Sequence, residues 1–143
     1  MSRKSIVLVQ AGNDSVSRLR ARLEDKGYGV VQATDAPTAM DIVHRSEVAL
    51  VVTELYLRLG TSRCLGHVIG RSPALRRTKL LVYTAHGKRQ DRDWALRIGA
   101  DGYVKKRSGE ERFLSVVEHL MTTESTPRRY RIGSQNPKRE YTV

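Results

Sequence analysis

The stretch ALVVTEL, Ala49 to Leu55, is an aliphatic and β-branched run that carries one acid, Glu54, close to its end. A continuous apolar run of this length reads as a strand covered on both faces, because a strand with one wet face would alternate. Four more runs repeat the pattern: SIVLV (Ser5 to Val9), VVQAT (Val30 to Thr34), KLLVYTA (Lys79 to Ala85) and the shorter DGYVKK (Asp101 to Lys106). Helical spacing fills the intervals. Asn13 offers an N-cap before Val16, Leu19 and Leu23, and Gly27 closes that helix. Asp35 is a candidate cap for Ala36 to Arg45, whose apolar stripe is Ala39, Met40 and Val43. Gly60 to Ser72 reads as a third helix, weakened by Gly66 and Gly70. Gln90 to Ile98 is the fourth, closed by Gly99. Glu110 to Met121 is the last, with Phe113, Val116, Val117 and Leu120 on one face and two acids at its positive N-terminal end.

Five βα units in succession imply an α/β fold, a doubly wound parallel sheet with helices on both faces. Sites in such folds lie beyond the carboxyl ends of the strands, near the switch in strand order. That rule selects Gln10 and Ala11, Glu54, Thr84 and Lys106. Residues 1–122 form the expected domain. The remainder, 123–143, has no apolar periodicity and is rich in Ser, Thr, Pro and Arg, so it is expected to be a flexible basic tail.

Composition narrows the function classes. The chain has 143 residues, long enough for one domain with a real core, and 39% hydrophobic content. Its apolar runs are too short to span a bilayer, and the stretch after the basic residues of the first few positions is too short for a signal h-region and is followed by no A-x-A site, so no secretory leader is expected. Cys64 is the single cysteine, so no internal disulfide forms, and no Cys/His spacing suits zinc. Cytoplasmic location is the expectation. Cys64 beside Gly66 and His67 reads as helix content. No Ser/His/Asp set and no Gly-rich phosphate loop is present, which argues against an enzyme.

The charge is the unusual feature. There are 26 Lys and Arg against 15 Asp and Glu, a formal +11. Residues 1–120 hold 21 bases and 13 acids, a net +8, so the excess is not confined to the tail. Such a balance favours acidic partners, nucleic acid included. An Arg-rich surface on an ordinary soluble protein accounts for it equally well.

Together IVLV, ALVVTEL, RSPALRRTKLLVYTAHG and RIGADGYVKK, in this order and spacing, resemble the receiver domains of response regulators over roughly residues 1–122. The resemblance implies a flavodoxin-like (βα)5 sandwich with strand order 2-1-3-4-5. It also implies a chemistry. In receivers an aspartate ending the third strand accepts a phosphoryl group, and two acids after the first strand hold Mg²⁺. A Thr or Ser after the fourth strand and a Lys after the fifth bind the phosphate, while an aromatic on the fifth strand rotates as the switch is thrown. Here Thr84, Lys106 and Tyr103 take the last three places. Glu54 takes the phosphoacceptor place, and Gln10 and Ala11 replace the acidic pair. Arg107 stands where the family commonly has a proline.

These departures imply a degenerate receiver. Phosphoryl transfer to a carboxylate needs a divalent cation, and Mg²⁺ prefers carboxylate oxygens. Two of three formal negative charges are gone, so no Mg²⁺ cofactor is expected. Glu54 is one methylene longer than aspartate, and a displacement of ~1 Å can cost ~100-fold. Asp14 falls in the first helical turn, where an acid complements the dipole. Glu54 is then expected to pair with Lys106 while Thr84 donates to it. Such a pair either mimics a phosphorylated state or simply satisfies Lys106. Tyr103 is either a switch aromatic or a half-buried strand residue with its hydroxyl in water. Tyr56 and His86 are expected at the pocket rim.

Receivers signal through the surface of the fourth helix, fifth strand and fifth helix. In this chain that surface carries Lys88, Arg89, Arg92, Arg97, Lys105, Arg107 and Arg112, against the local acids Asp91, Asp93, Glu110 and Glu111. The expected function is recognition of an acidic protein partner without phosphorylation, as a monomer or homodimer. One alternative is nucleic-acid binding that is not sequence-specific, with the tail residues Arg128, Arg129 and Arg131, and Lys138 and Arg139, on phosphates and Tyr130 stacking on a base. No DNA-reading module follows the receiver-like part. The other alternative is a conventional relay using Glu54 or another acceptor.

Overall fold

The computed structural model describes residues 3–10, 14–57, 60–61, 77–85, 88–97 and 99–123, with backbone alone for Asp14, Ser15, Tyr56, Leu57, Gly60 and Thr61. Ala11, Asn13, Cys64, His67, His86 and the tail from residue 124 onward lie outside the described residues, as does most of the third helix expected from sequence.

The strands form where β-branched residues run together. They are β1 (Ser5–Val9), β2 (Gly29–Ala33), β3 (Leu50–Thr53), β4 (Lys79–Thr84) and β5 (Gly102–Lys105). All pair in parallel, in the order β2-β1-β3-β4-β5. The helices among the described residues are α1 (Asp14–Asp25), α2 (Ala36–Arg45), α3 (Arg89–Arg97) and α4 (Glu110–Thr122). Because the expected third helix is not among them, α3 and α4 are the fourth and fifth helices of the sequence reading.

Every strand contributes to both faces, which is why the sequence shows runs rather than alternation. One face places Ile6, Leu8, Val52, Leu81 and Tyr83 against Val16, Leu19 and Leu23 of α1 and Phe113, Val116, Val117 and Leu120 of α4. The other places Val7, Val51, Leu80, Val82 and Tyr103 against Ala39 and Val43 of α2 and Ala95 of α3. Asp35 caps α2 as expected, accepting from the Thr38 amide at 2.8 Å. Strand and helix ends otherwise fall within one or two residues of the expected ones, the scatter usual at frayed ends.

Two expectations are corrected. A helix cannot begin at Gly60, because Gly60–Thr61 pairs antiparallel with Tyr56–Leu57 in a small hairpin just beyond β3. Tyr103 is not half-buried. Its side chain is fully enclosed (0% exposed) on the face shared with Val82, where α3 covers the edge strand.

Candidate functional site

The carboxyl ends of β1 and β3 are locked side by side. The Gln10 amide donates to the Ala33 carbonyl and the Glu54 amide to the Val9 carbonyl, each at 3.0 Å, extending the ladder one residue past the strands. Gln10 and Glu54 are thereby held as neighbours at the mouth of the sheet. Thr84 ends β4, and Lys106 follows β5 as the first residue of a 3-10 turn, Lys106–Ser108. Among the described residues no peptide bond is cis, so the Lys106–Arg107 bond is trans. The turn is closed instead by Gly109, at φ 95° and ψ 158°. Only glycine occupies that region without strain.

The four side chains meet. The Lys106 ammonium lies 2.9 Å from Glu54 Oε2, with the lysine side chain 39% exposed and the glutamate 18%. The Thr84 hydroxyl donates to Glu54 Oε1, and so does the Leu55 amide at 3.2 Å. Lys106 also donates to Gln10 Oε1 at 2.9 Å, while Gln10 Nε2 reaches the Tyr83 carbonyl at 3.4 Å. Both carboxylate oxygens are occupied by donors of the chain itself. The Lys106 ammonium stands 5.7 Å from the centroid of the Tyr83 ring, within cation–π range. Tyr83 in turn packs at 4.2 Å between centroids on Phe113 of α4. Burial pushes the Tyr83 phenol up, and the negative charge of Glu110 adds to it.

Of the residues singled out from sequence, Gln10, Glu54, Thr84 and Lys106 are in contact, and Tyr103 lies behind them on the face of Thr84. Ala11 and His86 lie outside the described residues, and the side chain of Tyr56 is not described. Sequence reasoning missed two things. The resemblance marks Gln10 only as a lost acid, yet its amide oxygen is an acceptor that a lysine can use. Tyr83 drew no attention, although an aromatic paired opposite Val104, beside Lys106, could have flagged it.

The basic surface is also present. Lys88, Arg89, Arg97, Arg107 and Arg112 are exposed, and Arg92 and Lys105 are half-exposed. Two of the acids expected to offset them point elsewhere. Glu110 holds Arg18 at 2.7 Å and Arg22 at 2.9 Å, and Glu111 also pairs with Arg22, so both acids belong to the seam between α1 and α4. The two guanidinium groups hold the Glu110 carboxyl below the usual range, Arg22 most strongly. Asp93 stays on the basic side, 3.8 Å from Arg89 and 3.7 Å from Arg92. Among the described residues, no carboxylate pairs with Lys88, Lys105, Arg107 or Arg112.

The response regulator receiver domain family matches residues 6–118, and the chain belongs to it. No curated protein matches the chain. Among solved structures it is similar to the non-phosphorylated HemR receiver domain from Leptospira biflexa, at 25% identity and TM-score 0.77 over 90% of this chain and 100% of that one. It is also similar to chemotaxis protein CheY4 of Vibrio cholerae, at 16% identity and TM-score 0.76 over 83% and 99%. A response regulator of Burkholderia pseudomallei, solved with a phosphorylated aspartic acid, a calcium ion and citrate, matches at 22% and TM-score 0.71 over 83% of this chain and 67% of that one. The fold is that of these receivers, and the chain is a protein of two-component signalling. No helix among the described residues is long and apolar enough to cross a membrane.

Proposed function

We propose that this receiver is a pseudo-receiver, which recognises a protein partner without taking a phosphoryl group. The observation that carries the reading is the engagement of Glu54. One carboxylate oxygen is held by the Lys106 ammonium and the other by Thr84 and the Leu55 amide. A nucleophilic carboxylate must instead present an oxygen in line with the transferring group, beside a cation that neutralises the developing charge. The donors do not fit Mg²⁺. Gln10 offers a neutral amide oxygen that already accepts from Lys106, and a methyl side chain follows it in sequence. Hard divalent cations bind carboxylates in preference to such groups.

The pair satisfies both charges and holds one arrangement of the site. A carboxylate monoanion brings less charge and fewer oxygens than a phosphoryl group. Recognition then falls to the basic surface of α3, β5 and α4, whose excess is left standing because Glu110 and Glu111 are committed to α1. Its complement is an acidic protein surface. We take the role to be cytoplasmic signalling, in which the tail 123–143 adds further positive charge.

The test is intact-mass analysis after incubation with a small phosphodonor and Mg²⁺. The chain is expected to stay unmodified. A phosphoryl adduct that disappears in Glu54→Gln would restore the conventional relay and overturn the proposal. Capture of the partner is expected to fail when Lys105 and Arg107 are neutralised. Retention of labelled nucleic acid at low salt, with no protein partner, would favour the nucleic-acid alternative instead.

A further inference from the structure

Two aromatics stand near the Glu54 pocket, on opposite faces of the sheet. Tyr103 lies in the half of the core beneath α2 and α3, with Val82 and Ala95. Tyr83, one residue before Thr84, lies in the half beneath α1 and α4, with Leu19 and Phe113. Tyr83 is 5% exposed and Phe113 is fully enclosed. Their ring centroids are 4.2 Å apart, with the planes tilted by 32°, closer than the ~4.5–7 Å usual for aromatic pairs. In an interior packed this densely, one ring does not move without the other.

On its other side Tyr83 meets the pocket. The Lys106 ammonium stands 5.7 Å from the ring centroid, and Gln10 Nε2 donates to the Tyr83 carbonyl at 3.4 Å. The phenol lies in two fields at once. Burial raises it first, Glu110 raises it further, Arg18 lowers it and Glu54 raises it, so it stands between the seam of α1 and α4 and the charge of the pocket. The main chain closes the circuit. The Gly109 amide donates to the Lys106 carbonyl at 3.1 Å, and the Phe113 amide to the Gly109 carbonyl at 3.3 Å. Lys106 therefore reaches α4 by two routes, through the Tyr83 ring and through its own 3-10 turn.

We propose that Tyr83 is a positioning residue that couples the Glu54–Lys106 pair to the first turn of α4. When the Glu54 charge is lost, the ammonium keeps the Gln10 oxygen and the ring face as its partners. It settles toward them, and the Tyr83 ring carries that change to Phe113. Arg112, next to Phe113 on α4, is exposed and belongs to the basic surface, so the seating of Phe113 sets where that cation projects. This coupling rests on the pseudo-receiver reading, since it makes the pocket the regulator of the docking surface. Tyr103, on the other face of the sheet, looks toward α3 instead.

The test is amide hydrogen exchange on the full chain, read by NMR, with the Leu8 amide of β1 as the reference for global opening. In the parent, Glu54→Gln is expected to speed exchange several-fold at Leu55 and Thr84, and also at Phe113 and Leu114 in α4. In the Tyr83→Leu background the same change is expected to speed Leu55 and Thr84 but to leave α4 as it was. Tyr83→Phe keeps the ring, and the response of α4 is expected to return. Phe113→Leu interrupts the same contact from the helix side, with the same loss expected at Leu114, so the coupling stays testable if one leucine variant does not fold. An α4 response that survives a leucine variant would assign the transmission to the 3-10 turn and overturn the role of Tyr83. A parent in which Glu54→Gln leaves α4 unmoved would overturn it too. No partner enters the measurement, so failure of the coupling is told apart from failure of the pseudo-receiver reading, which the phosphodonor incubation decides.

Discussion

Gln10 shows how much a single side chain can do when an acid is replaced. With a carboxylate there, Lys106 would face two anions. With the amide, it has one anion and one neutral acceptor, both at 2.9 Å. Lys106 is therefore the centre of the pocket, and its removal strands Glu54 with a hydroxyl and an amide for company. Lys106→Met is expected to cost ~1–2 kcal/mol, a charge-assisted bond discounted for the exposure of the ammonium. Urea unfolding measures it. Glu54→Gln combined with Lys106→Met should lose less than the two single changes together, by ~0.5–3 kcal/mol. Strict additivity would mean that the two groups do not act on each other. The pair itself was legible in the sequence, through the resemblance that set Glu54 and Lys106 across one pocket. Gln10's part in it was not, because a substitution read as a loss conceals what the new group can accept. Tyr103 misled for another reason. Next to Gly102, on a short strand ending in two lysines, it looks half wet, and only the covering of that edge by α3 encloses it.

Between elements, the seam of α1 and α4 is the clearest case of charges that pick their partner. Arg18 and Arg22, one turn apart on α1, face Glu110 and Glu111 in the first turn of α4, where acids also complement the helix dipole. The Glu110 carboxyl is held below its ordinary range by Arg22 and Arg18. Its folded-state value thus lies beneath the unfolded one, near ~4.3. The stability it contributes is fully present above that ordinary value and is lost as pH falls through the lowered one. Urea midpoints at about pH 6 and about pH 3 should therefore fall further for the parent than for Glu110→Gln, which has no carboxyl there to protonate. Equal falls would remove the assignment. The sequence announced the two acids as helix-start residues but not their partners, since Arg18 lies 92 residues away and spacing carries no information over that distance. The strands were easier to read. Runs such as IVLV and LVV are apolar at every position because both faces are covered, and their shortness and β-branched content mark them as strands.

For the whole molecule, the consequence of the seam is an uneven distribution of charge. The two acids of α4's first turn, Glu110 and Glu111, are committed to α1, so the far side, α3 with β5 and the exposed part of α4, keeps its cations. Long-range attraction of this kind speeds encounter with an acidic partner and is screened by salt, with a Debye length of ~8–10 Å at ~0.1–0.15 M. Partner association is expected to slow steeply as salt is raised from low to physiological strength, while dissociation changes far less. Stopped-flow or surface-based kinetics on the captured partner reads both rates. Neutralising Arg107 and Arg112 should flatten the dependence, and an unchanged slope would send the search to another surface. The βα alternation revealed the architecture from the sequence alone. It could not reveal the roles of Lys4 and Lys79, which look like any lysines at the start of a strand until α4's last turn, whose carbonyls accept from both ammonium groups, is laid across them.

The reach of Lys4 to the Met121 carbonyl spans nearly the whole folded unit in sequence and almost none of it in space. The chain therefore enters and leaves this domain through one doorway, on the side away from Glu54. A short loop could join the two ends and new termini could be opened elsewhere, giving a permuted receiver of the same shape. Anything fused before Lys4 and anything after Thr123 would share that threshold, as neighbours before either had touched the rest of the protein.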